Sequence, residues 1–286
     1  MHIAISGKLG SGKSTVCGIL NKDHGLEIYS TGKIQRAIAE KMGITTLELN
    51  RRMAADPKLD HEIDDTVNEI SRLRSAECLV FDSRMAWHFA ENAYKVYMYV
   101  DPYVAAKRVT GDDRGSVEKY KSIEDAVAQL KARSEEENRR YKDIYGVDNF
   151  DYANYDLIVD STSATQYEIA DLILDSFKKR SHGIYLSPKC LFPTALPEED
   201  SSGELKIFVQ GGFNFVSSGH GLLPEYGKAG ARFAKAALET DEAVIAKALA
   251  GAKRRGKKIL KTYAALCGIQ YESTPDVYLR RTKCDR

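Results

Sequence analysis

The sequence predicts an α/β protein. A parallel sheet covered by helices on both faces comes first, and a smaller α+β domain follows. Three observations carry this. A glycine-rich segment, Gly7-Lys8-Leu9-Gly10-Ser11-Gly12-Lys13-Ser14, joins the apolar run Ile3-Ala4-Ile5 to an amphipathic stretch, Thr15 to Leu20. Short apolar runs then alternate with helical patterns as far as Lys179, as in a sheet built from crossover units. Finally, the charge changes sign. Residues 1–180 hold 26 Lys+Arg and 30 Asp+Glu, a net −4, and residues 181–286 hold 16 and 11, a net +5. The texture changes at the same point, Lys178-Lys179-Arg180-Ser181-His182-Gly183. The expected domains are therefore 1–181 and 182–286.

The glycine-rich segment reads G-x-x-x-x-G-K-S, the phosphate-binding loop, and lies between a strand and a helix as that motif requires. Gly7, Gly10 and Gly12 let the backbone wrap a polyphosphate, and the amides of Ser11, Gly12, Lys13, Ser14 and Thr15 turn inward onto it. The helix N-terminus adds partial positive charge. Lys13 reaches the β- and γ-phosphates and the Ser14 hydroxyl ligates Mg²⁺. The motif points to a nucleoside triphosphate and leaves the reaction open.

The remaining elements follow in order. Ile3–Ser6 is a buried strand, and the helix after the loop stops before Gly25. Glu27–Ser30 is a second strand, followed by the turn Ser30-Thr31-Gly32. Residues 34–42 carry helical spacing. A helix after Ile44 has Thr46 as its cap and breaks at Asp56-Pro57. Asp60–Arg74 is a helix with Ile63, Val67, Ile70 and Leu73 on one buried face. Strands follow at 78–81, ending in Asp82-Ser83-Arg84, and at 96–100, ending in Asp101-Pro102. Val104–Arg108 begins a helix, 111–115 is a polar loop, and Ser122–Tyr145 is a long charged helix. Leu157–Val159 is the fifth strand, and 167–179 closes the unit as an amphipathic helix. In such sheets ligands bind at the C-terminal strand ends.

Composition narrows the setting. A hydrophobic fraction of 43% and a charged fraction of 29% are globular values. No apolar run is long enough for a membrane span. The chain enters a strand at once, which argues against a secretory leader. Five scattered cysteines without C-x-x-C spacing argue against a disulfide framework or zinc site and for a reducing cytoplasm. The scattered histidines show no metal spacing. Trp87 is expected to pack rather than stack on a base.

Residues 1–180 resemble the nucleoside monophosphate kinases, most closely the short archaeal-type cytidylate kinases. The likeness rests on the phosphate loop and on five segments in the family's order. These are Ser30-Thr31-Gly32-x-x-x-Arg36; Asp56-Pro57-x-x-Asp60 with Asp64; Ser83-Arg84; Arg133-x-x-x-Glu137-x-x-Arg140-Tyr141; and Tyr145-Gly146-Val147-Asp148. The resemblance implies a P-loop kinase fold, and ATP and Mg²⁺ as cofactors. It also implies phosphoryl transfer to a nucleoside monophosphate, CMP or dCMP first. It assigns Arg36 and Arg84 to the acceptor phosphate, with Ser30 and Asp60 in the acceptor pocket. Arg133 and Arg140 cover the transferring group, Arg108 and Arg114 approach ATP, and Asp82 holds the Mg²⁺ shell or the acceptor. Residues 33–76 form a clamp over the acceptor. The spacing supports part of this: Arg133 and Arg140 are two turns apart and share a helix face. Arginine also suits phosphate, because its planar fork donates two bonds at once. The family's strand-three segment usually carries glycine before the arginine, and here it reads Phe81-Asp82-Ser83-Arg84. That departure admits a different small acceptor. A nucleotide-regulated, nucleic-acid-binding protein is the rival from another class. A motor-type NTPase is disfavoured by the lack of a clear acidic Walker-B run.

Residues 182–286 fall outside that likeness. Strands are expected at 205–209 and 213–216 about Gly211-Gly212, and an Ala-rich helix from Tyr226 through Leu249. The order Ser-Pro-Lys-x-Leu-x-Pro-Thr, strand, Ser-Gly-His is similar to ParB-like domains. Their Gly-His-Arg motif handles phosphate, but Gly219-His220-Gly221-Leu222 lacks the arginine. Lys253-Arg254-Arg255-Gly256-Lys257-Lys258 is a basic run. Such runs usually form a solvated helix face, and nucleic acid is the alternative partner. No aromatic residues interleave it to hold a single strand.

Overall fold

A computed structural model of the chain describes residues 1–32, 39–44, 48–49, 52, 58–111, 120–200 and 202–279. The expected helix over 34–42, the Thr46 cap and the Asp56-Pro57 break fall wholly or partly outside these residues. The chain forms two compact units. One comprises Met1–Leu157 with Thr165–His182, and the other Ile158–Ala164 with Gly183–Arg286.

The first unit is built on a parallel sheet in the order β2-β3-β1-β4. Its strands are β1 (His2–Gly7), β2 (Glu27–Ser30), β3 (Leu79–Asp82) and β4 (Ala93–Tyr99). Ile5 pairs with both Asp82 and Val96, so β1 is the central strand that leads into the phosphate loop. Every residue of β1 is buried, because both faces are covered. On one face Ala4 and Phe81 pack with Val67 of α2 (Lys58–Leu73) and with Ala86 and Ala90, in and just after α3 (Ala86–Phe89). α1 (Lys13–His24) packs against α6 (Gln166–Lys179). α1 buries Val16, Cys17 and Leu20, and α6 buries Ile169, Ala170, Ile173 and Leu174. Each such aliphatic side chain contributes roughly 1.5–3 kcal/mol of burial. Leu73, expected on the buried face of α2, is 72% exposed. It is the last residue of the helix, beyond the stretch where Val67 and Ile70 meet the core.

α4 (Pro102–Gly111) and α5 (Ile123–Tyr145) pack together through Ala105, Ala106, Val109, Ala126 and Leu130. Ser122 caps α5 by accepting from the Asp125 amide, and Gly146, at φ +68°, ends it. The whole 23-residue helix is thereby fixed at both ends.

The second unit has a mixed sheet. Ile158–Asp160, the last three residues of β5 (Leu157–Asp160), lie beside β6 (Gly183–Leu186). The order continues through β10 (Ala234–Leu238), β8 (Lys206–Gln210), β9 (Phe213–Ser218) and β7 (Leu191–Pro193). β6 runs antiparallel to β10 and β8 antiparallel to β9, whereas β10–β8 and β9–β7 are parallel. Phe192, Phe208, Phe215, Ala252 and Tyr278 form its aromatic core.

The expected helix from Tyr226 to Leu249 is not continuous. It is replaced by α7 (Leu223–Lys228), β10 and α8 (Glu242–Cys267). Gly230, at φ +60°, follows α7. Asp241 starts α8 by accepting from the Ala243 and Val244 amides. Between them Ala234–Leu238 completes a ladder on both sides, and that pairing overrides the helical preference of alanine. α9 (Asp276–Leu279) ends the described chain. No helix among the described residues is long and apolar enough to cross a membrane.

Candidate active site

β1 ends on the loop that opens α1. Gly7, Gly10 and Gly12 take φ values of +142°, +75° and +82°. A Cβ at Gly7 would lie 2.3 Å from the Met98 carbonyl oxygen, and one at Gly10 2.9 Å from the Ala105 Cβ. Only glycine satisfies both the torsions and the close approach. Gly12 occupies the cap position of α1. Ser14 and Thr15 are exposed in its first turn, and the Ser11 side chain is buried. Ser11 Oγ has no hydrogen-bond partner among the described residues. Of the loop amides, that of Ser11 donates to the Lys8 carbonyl at 3.3 Å and that of Thr15 to the Gly12 carbonyl at 3.1 Å. An orphaned buried hydroxyl at the N-terminus of α1 fits a bound polyphosphate.

Lys13 Nζ donates to the Gly7 carbonyl at 3.2 Å. Burial pushes the ammonium down to about 8, and the nearby Arg84 charge pushes the same way against Asp82. Asp82 accepts from Ser30 Oγ at 3.1 Å. Both predicted residues therefore stand together at the C-terminal end of the sheet.

Arg84 follows β3, with its carbonyl held by Ser6 Oγ at 2.9 Å. Its Nη1 lies 3.3 Å from the Gly7 carbonyl and 3.1 Å from Glu137 Oε2. Arg133 Nε reaches Glu137 Oε1 at 3.2 Å. Burial alone would raise the Glu137 carboxyl. Arg84, Arg133 and Arg140 outweigh it and hold the group below its ordinary value. Arg140 also faces the Tyr141 ring, 5.5 Å from its centroid. Arg108, in α4, donates from Nη1 to the Gly10 carbonyl at 3.3 Å. Lys13, Asp82, Arg84, Arg133 and Arg140 thus gather about the loop, with Glu137 as the shared anion.

Two groups had no assigned role in the sequence reading. Glu137 was visible only as part of a motif. Its signal was spacing: four residues after Arg133 and three before Arg140 place it on their helix face. The other is a link from α2 to α5. Asp64 is 6% exposed and accepts from Tyr145 Oη at 2.6 Å. His61 and Phe89 present ring edges to Tyr145 at 5.5 and 5.0 Å. Asp64 is therefore a buried acceptor and not part of a solvated face. Trp87 is buried and donates to Asn149 Oδ1 at 2.6 Å, a packing position. Asp60 falls in the first turn of α2. Arg36 and Arg114 lie outside the described residues.

The donor set suits Mg²⁺ held together with phosphates. Among the described residues no group of three or more His, Cys, Asp or Glu side chains could hold a metal. Magnesium with a nucleotide needs only one or two protein oxygens, the rest coming from phosphate and water. Among the predicted site residues, the Ser14 hydroxyl and the Asp82 carboxylate are the oxygen groups that could supply them.

In the second unit, His220 is 2% exposed. Its Nε2 accepts from the Thr194 amide at 3.2 Å, and its Nδ1 pairs with Asp200 Oδ2 at 2.7 Å. Burial lowers the imidazole, against the pull of Asp200. The ring is committed to these bonds, so the ParB-like likeness of this segment finds no support.

A sequence model described as the cytidylate kinase-like family matches residues 2–163. The cytidylate kinase of Thermoplasma volcanium is 31% identical over 195 residues, covering 67% of this chain and 98% of that protein. An S-adenosylmethionine-dependent nucleotide dehydratase of Lacinutrix mariniflava is 36% identical over 181 residues. The matched stretch is 62% of this chain and only 36% of that protein. Among solved structures, the shikimate kinase of Bacteroides thetaiotaomicron aligns with a TM-score of 0.43 at 13% identity. That alignment covers 63% of this chain and 97% of the other.

Proposed function

Because the chain belongs to the cytidylate kinase-like family through residues 2–163, we propose that it transfers the γ-phosphoryl group of ATP to a nucleoside monophosphate, with CMP or dCMP as the acceptor. The observation that carries this is the convergence of Lys13, Arg84, Arg133 and Arg140 on one anionic position beside the phosphate loop. Residues 1–181 would form the kinase domain, with 182–286 as an appended α+β domain.

An oxygen of the acceptor phosphate attacks the γ-phosphorus, the bond to the β–γ bridging oxygen breaks, and ADP leaves. Positioning and charge neutralisation supply most of the rate. In this reading the loop amides and Lys13 hold the β- and γ-phosphates, and Arg108 steadies the loop through Gly10. Arg84, joined by Arg36, binds the acceptor phosphate. Arg133 and Arg140 neutralise the group in flight. Glu137 is a positioning residue that aims three guanidinium groups before substrate arrives. Ser14 and Asp82 would hold Mg²⁺, which would supply charge neutralisation of the nucleotide phosphates. Ser30 and Asp60 complete the acceptor pocket, with α2 and the segment before it as the clamp that excludes water.

The curated cytidylate kinases support the cytosine acceptor. The Lacinutrix protein supports only a nucleotide as ligand, because this chain spans so little of it. Another small phosphate acceptor is the second reading, and it rests on Asp82, whose carboxylate faces Ser30 where the family usually has a small neutral residue. The test is Mg²⁺-dependent ADP release from ATP with CMP, dCMP, UMP, AMP and GMP in turn. Release with CMP or dCMP far above the rest supports the proposal. Release with none of them, while ATP still binds, overturns the acceptor assignment.

A further inference from the structure

We infer that the outer face of α8 is a binding surface for the phosphate backbone of duplex DNA. The inference is independent of the phosphoryl-transfer reading and concerns only the second unit.

α8 spans 26 residues, about 39 Å at 1.5 Å per residue. From Ala243 to Ala265 every exposed position is a lysine, an arginine or an alanine. The cations are Lys247, Lys253, Arg254, Lys257, Lys258 and Lys261. At 100° per residue they fall within one arc of the helix, opposite Ala252, Ile259 and Tyr263, which are fully buried. The only acid in the helix is Glu242, at its start.

Elsewhere the same chain builds its exposed helix faces differently. Lys131 meets Glu135, Arg133 meets Glu137, and Lys179 meets Asp175, each at i,i+4. On α8 the corresponding partners are cations: Lys253 with Lys257, Arg254 with Lys258, Lys257 with Lys261. Like charges at this spacing destabilise a helix. None of the six outer cations forms a salt bridge among the described residues. Arg255, turned toward the unit, is the exception in the basic run, with both guanidinium nitrogens on Glu199 at 2.5 and 2.9 Å. A face that accepts repulsion without an internal partner fits an external polyanion.

The inner face holds the helix close to its support. A Cβ at Gly251 would lie 2.8 Å from the Thr194 carbonyl oxygen, and one at Gly256 2.2 Å from the Tyr278 ring. The two glycines therefore let α8 sit directly on the backbone just after β7 and on the Tyr278 ring, with its cations on the opposite side.

Three features select the partner. No aromatic side chain lies among the exposed positions from Ala243 to Ala265, so the stacking that holds single strands is missing. No bulky apolar side chain lies there either, so an acyl layer gains no contact. Exposed alanines flank the main basic run, Ala246 and Ala250 before it and Ala264 and Ala265 after it, and the major groove of B-DNA, about 12 Å wide, admits a helix, whereas the narrow major groove of A-form RNA does not. The contact is to phosphate and carries no base selectivity.

The experiment is fluorescence anisotropy of the full chain with a labelled random-sequence duplex of about 20 base pairs, from about 50 to 200 mM salt. The expected dissociation constant is micromolar at low salt, with log affinity falling against log salt at a slope of about −3 to −5 for up to six cations. The variant K253E/R254E/K257E/K258E should bind at least tenfold more weakly with an unchanged far-UV spectrum and melting temperature. Should charge reversal unfold the chain, the same four positions changed to alanine should flatten the slope by about 3 or more. Binding that survives either variant overturns the proposal. So does absence of duplex binding at about 50 mM salt, equal or tighter binding to single strands, or binding confined to vesicles of anionic phospholipid.

Discussion

Lys13 carries a half-buried positive charge that the fold must tolerate. Its pKa, pushed down to about 8, lies below the unfolded value of 10.5. The cost is therefore fully present below pH 8, and stability rises with pH between about 8 and 10.5, where only the unfolded chain keeps the proton. Lys13→Met should abolish turnover, by at least about 100-fold, while raising stability near pH 7 by up to about 3 kcal/mol, read from thermal melts. ATP should restore the proton, so wild-type affinity for ATP should weaken above pH 8 in a calorimetric series. Glu137 behaves in the opposite sense. Its carboxyl is held down by three arginines, so its stability contribution is present above the ordinary carboxylate range and lost as pH falls through its folded value. Glu137→Gln should lower the melting temperature at pH 7, with the difference closing in acid. It should also reduce kcat about 10- to 100-fold, because the arginines lose their aim. An unchanged kcat would remove the positioning role. The phosphate loop was legible residue by residue, because its chemistry is local. Glu137 was not, because Arg133 to Arg140 also reads as ordinary i,i+4 pairing on a solvated helix. Asp64 and Tyr145 were less legible still, since 81 residues separate two groups that meet only in the fold.

Among the elements, the turn from β1 into α1 tolerates least. Gly7→Ala would place a Cβ against the Met98 backbone at a φ that alanine rarely adopts. A loss of more than about 2 kcal/mol is expected, measured by urea unfolding, together with loss of ATP binding. The link between α2 and α5 is gentler. Tyr145→Phe leaves the buried Asp64 carboxylate without its phenol donor, at a cost of about 1–3 kcal/mol. Because the bond joins α2, the clamp of the proposed function, to the helix bearing Arg133 and Arg140, KM for the acceptor should rise more than KM for ATP. Equal changes in both would limit the bond to stability. Most of the described strands and helices of the first unit were readable, since apolar runs and helical spacing alternate there; the short α3 was not expected, and β4 begins three residues before the expected strand. β10 was not. Ala234-Lys235-Ala236-Ala237-Leu238 has the local preference of a helix. Only the neighbours β6 and β8 make it a strand. Asp241, a cap signal inside the supposed helix, was the available warning.

At the scale of the whole molecule, Ile158–Ala164 group with the second unit although they precede α6. Asp160 is fully buried there, with its Oδ2 taking the Ser187 amide at 3.0 Å and burial raising its carboxyl. Residues 1–181 made alone should therefore melt lower than the full chain by several degrees, because that buried carboxylate loses a donor. Turnover with CMP should persist at low temperature, since Lys13, Arg84, Arg133 and Arg140 all lie in the first unit. The central claim is transfer from ATP to a cytosine monophosphate, and phosphorus NMR of ATP, CMP and Mg²⁺ with the full chain tests it most directly. The account predicts that CDP and ADP resonances grow in equal amounts, and that Lys13→Ala abolishes both. ADP with inorganic phosphate and no CDP would contradict it, as would transfer unaffected by the substitution.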